Sequence, residues 1–236
     1  MTSPIQPLLA YVAALRVARE IRTLPETLTP LEAFRYTQRR RWYGGGSIAA
    51  NQQAGEIVPL LVLLADDPPR TVVEIGTDRG GTLFLWSRVA TADALLVSVD
   101  IRPVVGRFGR FSPFVLVRYA FRRGDQRIVF VDRANSGDAA TVGRVESALR
   151  GRPVDFLFID GDHRYAAVRR DFELFAPLVR PGGLIGLHDI AATTTTDTEG
   201  TALFWQELSA GAADCTEFVV GESPGYGIGV YRVAQG

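Results

Sequence analysis

Lysine is missing from all 236 residues: the 26 basic side chains are arginines, set against 26 acidic ones for a net charge of zero. Without lysine the chain has no Schiff-base amine, no P-loop lysine to reach a nucleotide phosphate and no ammonium of depressed pKa to act as a base. Balanced charge leaves no basic surplus for displacing counterions from a phosphate backbone, which argues against a general nucleic-acid binder. Cysteine occurs once, as Cys215, so an internal disulfide and a multi-cysteine zinc site are excluded. No apolar run approaches the ~18 residues needed to cross a membrane. The stretch Leu8–Leu15 is short, lacks a preceding basic residue and is followed by Arg16, Arg19 and Arg22 at helical spacing. It reads as an amphipathic helix of a cytoplasmic protein rather than a secretory signal. Histidine is scarce too, limited to His163 and His188, so where these two fall is informative.

What is present is apolar side chains, 47% of the total against 22% charged, enough for one sizeable core. From Thr71 onward short apolar runs alternate with longer helical patterns, as strands and crossover helices do in a parallel sheet. Strands are expected near Thr71–Ile75, Leu95–Val99, Arg127–Val131, Val154–Ile159 and Gly183–Leu187. Helices are expected at Gly81–Val89, Asp138–Leu149 and Tyr165–Leu178, the last stopped by Pro181-Gly182-Gly183. A helix near Thr201–Leu208 then precedes a hairpin of Thr216–Val220 and Gly227–Val233 about the turn-rich Gly221–Tyr226. The fold class is α/β: a Rossmann-like, doubly wound, seven-stranded sheet of five parallel strands and a C-terminal antiparallel hairpin. Residues 1–69 read as a helical extension and cap, with Arg39–Arg41 leading into a glycine-rich loop at Trp42–Gly46. The arginine- and aromatic-rich connection Ile101–Gln126 exceeds ordinary loop length and is expected to contain a helix, serving as an acceptor lid, an oligomer contact or a plain surface element.

The run Val73-Glu-Ile-Gly-Thr-Asp-Arg-Gly-Gly-Thr82 sits where the first strand turns into its helix, the place where open α/β sheets bind ligands. Its glycines let a ligand approach the backbone, and the helix start offers free N–H groups. The middle glycine of a dinucleotide fingerprint is replaced by Asp78, and a pyrophosphate would meet Glu74 and Asp78. A cationic ligand suits such a loop better. Asp100, ending the second strand, is placed to accept from ribose hydroxyls. Together these point to a positively charged nucleoside, a description that S-adenosylmethionine fits.

Through Glu74–Gly81 and Ser98-Val-Asp100 the chain resembles the class I S-adenosylmethionine-dependent methyltransferases. Phe158-Ile-Asp-Gly-Asp-His-Arg-Tyr165, Pro181-Gly-Gly183, His188-Asp189 and Phe204-Trp-Gln-Glu-Leu208 extend that resemblance to the cephalosporin-hydroxylase and macrocin O-methyltransferase branch. It implies an S-adenosylmethionine-binding methyltransferase domain over 70–236. The implied cofactor contacts are Glu74, Gly76, Thr77, Gly80, Gly81, Thr82, Asp100 and Asp160, with Asn135 and Ser136 toward adenine. Asp138 is either part of that stretch or a cap of the following helix.

Methyl transfer to a hydroxyl needs a base to take the proton or a metal to stabilise the developing alkoxide. Asp160 ends the fourth strand and His188-Asp189 the fifth, so three ligand-type side chains emerge at one sheet edge. The resembling sugar methyltransferases hold Mg²⁺ with carboxylates at the positions of Asp160 and Asp189 and an acidic residue where this chain has His188. That imidazole suits Zn, Fe, Ni or Mn better than Mg²⁺. The alternative is that Asp160 and Asp189 only order loops. His163 is the candidate general base beside Asp160, while Asp162 reads as a helix N-cap or a ligand. The expected activity is O-methylation of a small molecule, a sugar or other natural-product scaffold, by a monomer or homo-oligomer with no nucleic-acid or membrane partner. A nicotinamide-dependent oxidoreductase and a non-catalytic S-adenosylmethionine-binding scaffold are the competing readings.

Overall fold

The computed structural model describes residues 5–39, 41–42, 46–102, 113–191, 199–212, 214–221 and 226–235. Five strands run parallel: Thr71–Ile75 (β1), Leu95–Asp100 (β2), Arg127–Asp132 (β3), Val154–Ile159 (β4) and Val179–His188 (β5). Cys215–Phe218 (β6) and Ile228–Arg232 (β7) pair antiparallel, and β7 lies antiparallel to β5. The order across the sheet is β3-β2-β1-β4-β5-β7-β6. Successive crossovers therefore diverge between β1 and β4, opening a crevice at their C-terminal ends.

Strand alternation splits the core into two layers. Val72, Leu96, Ile128, Phe156 and Phe158 face one side, where they meet helices Ile5–Arg22 (α1), Pro30–Arg39 (α2), Ala54–Asp66 (α3), Gly81–Val89 (α4) and Pro113–Tyr119 (α5). Val73, Ile75, Val97, Leu157 and Ile159 face the other, against Ala139–Leu149 (α6), Tyr165–Phe175 (α7) and Glu199–Ala210 (α8). Ala14, Val17 and Ile21 of α1 belong to the first layer, so the N-terminal helices share the sheet's core. Among the described residues no helix is long and apolar enough to cross a membrane.

The expected helix Tyr165–Leu178 ends earlier. Pro177 lacks the N–H an α-helix needs, and the chain tightens into a 3₁₀ turn at Ala176–Leu178 before β5 begins at Val179. Pro181-Gly182-Gly183 therefore lies inside β5, at the irregularity where Val154 pairs with Val179 but Phe156 with Leu184. A bulge is where a strand tolerates a residue with no ladder donor. A helix does occur in the 101–126 connection, at α5, whereas Arg107, Phe108, Arg110 and Phe111 lie outside the described residues, as do Arg40, Tyr43–Gly45 and Thr193–Thr196.

Candidate functional site

The glycine loop is stitched onto neighbouring strand ends. Gly76 N–H donates to Val99 O and Asp160 N–H to Ile75 O, both at 2.9 Å. Gly76 has φ +87°, and a Cβ there would lie 1.9 Å from the Asp160 carbonyl oxygen, so only glycine fits. The N–H groups of Thr77 and Asp78 donate to Asp100 Oδ2 at 3.1 and 2.7 Å, and that of Arg102 to Oδ1 at 2.7 Å. Gly80, at φ +85°, starts α4 against Arg118 and Phe121, and Gly81 packs on the backbone of Ile48 and Ala50. Arg118, buried beneath the loop, donates to the Asp78 carbonyl.

Beyond these strand ends lies a cavity of about 1020 Å³. Gly76, Asp100, Asn135, Ser136 and Asp160, expected at a cofactor, line it. Glu74, Thr77, Gly80, Gly81 and Thr82 do not, and they support the loop from beneath. The expected pair of free carboxylates facing a ligand is corrected here. Glu74 is fully buried and accepts Trp86 Nε1–H at 2.8 Å, and burial raises its carboxyl to about 7 against the hydrogen bonds from Thr82, Thr77 and Trp86. Asp78 reaches the cavity but is ion-paired with Arg102. Asn135 Oδ1 accepts Gly137 N–H at 3.0 Å, and Ser136 hydrogen-bonds the buried Asp171, whose carboxyl burial raises to about 6. Asp138 stands at the N-cap position of α6 without a side-chain cap bond.

At the β4–β5 end, next to the glycine loop, Asp160 and His163 line the cavity, and with the buried Asp189 each brings a ligand atom within 4.8 Å of the others. His163 Nδ1 lies 3.2 Å from Asp189 Oδ2. Asp189 is a non-glycine residue at φ +63°, a conformation that turns the chain sharply after β5. Burial pushes its carboxyl up to about 6 against the pull of His188, with Asp160 adding to the rise. His188 stands behind this group rather than in it. Only 4% exposed, it donates from Nδ1 to Asp160 Oδ1 and from Nε2 to Glu56 Oε1, both at 3.2 Å, and its Nδ1 is also 3.2 Å from Asp189 Oδ1. Burial opposes its charge, but Asp160, Glu56 and Asp189 outweigh that and hold the imidazole well above its ordinary pKa. Asp162 is not the α7 N-cap, a position held by Arg164, with which Asp162 pairs.

Two residues of this end were not anticipated from sequence, Gln52 and Glu56. Gln52 Nε2–H donates to Asp160 Oδ2 at 2.8 Å. Glu56 carried a legible signal: at helical spacing it shares the buried stripe of Leu60 and Leu64.

Over 119 residues the chain is 31% identical to the uncharacterised protein R132 of Acanthamoeba polyphaga mimivirus; the match spans 50% of this chain and 51% of that protein, about half the relative's length. Among solved structures, the O-methyltransferase TomG from Streptomyces achromogenes, involved in tomaymycin synthesis and crystallised with S-adenosylmethionine, is 18% identical, with 99% of this chain and 100% of that one covered at a TM-score of 0.55. The MycE methyltransferase of the mycinamycin biosynthetic pathway, in complex with Mg, S-adenosylhomocysteine and mycinamycin VI, is 18% identical at a TM-score of 0.50, covering 75% of this chain and 49% of that one. These likenesses carry the fold. Residues 73–190, half of the chain, match the family described as a methyltransferase domain, and the chain belongs to that family.

Proposed function

We propose that this methyltransferase uses S-adenosylmethionine to methylate a hydroxyl of a small molecule, with 70–236 as the cofactor-binding domain and 1–69 as its helical cap. The observation that carries the reading is one cavity with chemically unlike ends. Gly76 and the polar side chains of Asp100, Asn135 and Ser136 line it along β1–β3, and Asp160 and His163 line it at β4, beside Gly76. Its volume of about 1020 Å³ suits a nucleoside cofactor with a small acceptor beside it. That TomG and MycE act in natural-product synthesis supports an acceptor of that class. Family membership counts against the nicotinamide oxidoreductase and the non-catalytic scaffold.

The donor set also fits a divalent ion: two carboxylates and an imidazole converge, and Gln52 Oε1, on the side chain that holds Asp160, is buried with no hydrogen-bond partner among the described residues. Asp160, His163 and Asp189 would hold the ion, so His163 takes the ligand place that spacing assigned to His188. One nitrogen among oxygens favours Mn²⁺ or Zn²⁺ over Mg²⁺. Bound in this cavity, S-adenosylmethionine supplies the electrophilic methyl group and a divalent ion supplies positive charge against the acceptor oxygen. The protein's own task is to hold the acceptor hydroxyl in line and to receive its proton at Asp160. A second reading is favoured by the 3.2 Å approach of His163 to Asp189: the carboxylate orients the imidazole, which then takes the proton itself.

Calorimetry with S-adenosylhomocysteine tests the core of the proposal, with binding expected and its absence overturning it. Transfer assayed in excess EDTA then decides between the two roles of His163. Loss of turnover is expected, whereas unchanged turnover leaves His163 as the base.

A further inference from the structure

Glu56 is fully buried on the third residue of α3, where its Oε1 accepts Gln53 N–H at 2.6 Å as half of a capping box. A helix cap alone does not account for its placement, because the same carboxylate also meets a side chain and a backbone N–H from distant parts of the chain. His188 Nε2 faces Glu56 Oε1 at 3.2 Å, and Gly227 N–H donates to Oε2. With both ring nitrogens drawn to carboxylates, the imidazole has one fixed orientation, and its Nδ1 is delivered to Asp160 Oδ1 and Asp189 Oδ1. On the other oxygen of Asp160, Gln52 supplies a second contact at 2.8 Å, from a side chain only 5% exposed. Both Asp160 oxygens are thus engaged by groups that lie behind the cavity.

We propose that Gln52, just before α3, and Glu56, in its first turn, both outside the matched domain, are positioning residues that aim Asp160 and Asp189 at the acceptor end of the cavity, Gln52 directly and Glu56 through His188. The inference rests on the reading of Asp160, His163 and Asp189 as a divalent-ion site. A second tier of hydrogen bonds commonly governs how well ligands hold an ion, and removing one such partner costs about 10–100-fold in metal affinity or activity. Among the described residues no side-chain hydrogen bond links Gln52 or Glu56 to Asp100, which is held by backbone N–H groups.

The test uses the full chain, with Mn²⁺ and S-adenosylhomocysteine as separate calorimetric probes and thermal melting as a control for folding. Glu56→Gln and Gln52→Leu should each weaken Mn²⁺ about 10–100-fold while S-adenosylhomocysteine affinity moves less than about 3-fold. His188→Gln should match Glu56→Gln, and the double variant should be no weaker than either alone, because one acts through the other. Gln52→Leu keeps the test decisive where Glu56→Gln fails to fold. The proposal is overturned if a folded variant keeps wild-type Mn²⁺ affinity, if both ligands weaken in step, or if the wild-type protein binds no Mn²⁺. A wild-type protein that binds Mn²⁺ but no S-adenosylhomocysteine sinks the proposed function instead and leaves this inference to the variants.

Discussion

At the β1–β2 end of the cavity three backbone N–H groups gather on one carboxylate, Asp100, and two arginines, Arg102 and Arg118, hold the carboxylate and carbonyl of Asp78. At the β4–β5 end they run between side chains, with Gln52, His163 and His188 converging on Asp160 and Asp189. The first end is shaped by where the chain can go, and the second by what the side chains are. A backbone-built end tolerates no added atoms at its glycines and depends on Asp100 to accept its N–H groups. A side-chain-built end accepts substitutions of the same shape but not the loss of a charge or a proton acceptor. Variants at the two ends should therefore separate folding from turnover.

The largest effect is expected at the side-chain end. Asp160→Asn keeps the shape and an acceptor oxygen but removes the charge and the proton acceptor, for a loss of about 10²–10⁴-fold in methyl transfer. Transfer of labelled methyl to a panel of hydroxyl compounds measures it. The melting temperature should fall only modestly, because the amide turns an NH₂ toward one of the two donors, Gln52 or His188, that the carboxylate accepted from. A melting temperature that collapses along with turnover would make this end structural and erase the contrast.

At the backbone end Gly76→Ala should do the reverse. The added methyl meets the Asp160 carbonyl oxygen at 1.9 Å, and the φ of +87° is strained for any side chain. A loss of about 3 kcal/mol or more in unfolding free energy is expected by denaturant titration. A variant as stable as wild type would show that the loop shifts freely, and the comparison would fail at its firmest point.

This division explains what was legible beforehand. The glycine loop, the parallel strands and α4 at Gly81–Val89 follow from local requirements, such as turn geometry and apolar runs, that a single stretch displays. Pairings across the chain do not. Asp160, His163, His188 and Asp189 were all visible as strand-end candidates, but which histidine joins the carboxylates depends on layers. Leu187 faces the layer of α6, α7 and α8, so His188 beside it faces the opposite one, where α3 brings Glu56. His163 returns over Asp189 only because the chain turns after β4. Glu74 obeys the same alternation: between Val73 and Ile75 it points away from their layer, toward Trp86 and not into the cavity. Glu74 and Asp78 look like free charges in sequence, but strand alternation buries the first and Arg102 pairs with the second.

The smallest expected effect tests that last point, and it is a pH dependence of stability at the backbone end. Glu74 is held at about 7 by burial, above its ordinary value of 4.5. Between those values the folded chain binds more protons at this group than the unfolded chain, so stability falls as pH rises and levels off above about 7. Its contribution is fully present below 4.5 and lost by about 7, a change of about 3 kcal/mol. Asp171, raised to about 6, pushes in the same direction and is common to both proteins compared. Glu74→Gln removes the titration while leaving an oxygen to accept from Trp86 Nε1. Denaturant titrations from pH 5 to 8 should show wild type losing stability relative to Glu74→Gln as pH rises. Parallel curves would mean that Glu74 titrates alike folded and unfolded, as a solvent-facing carboxylate does, and its charge would then be available to a ligand after all.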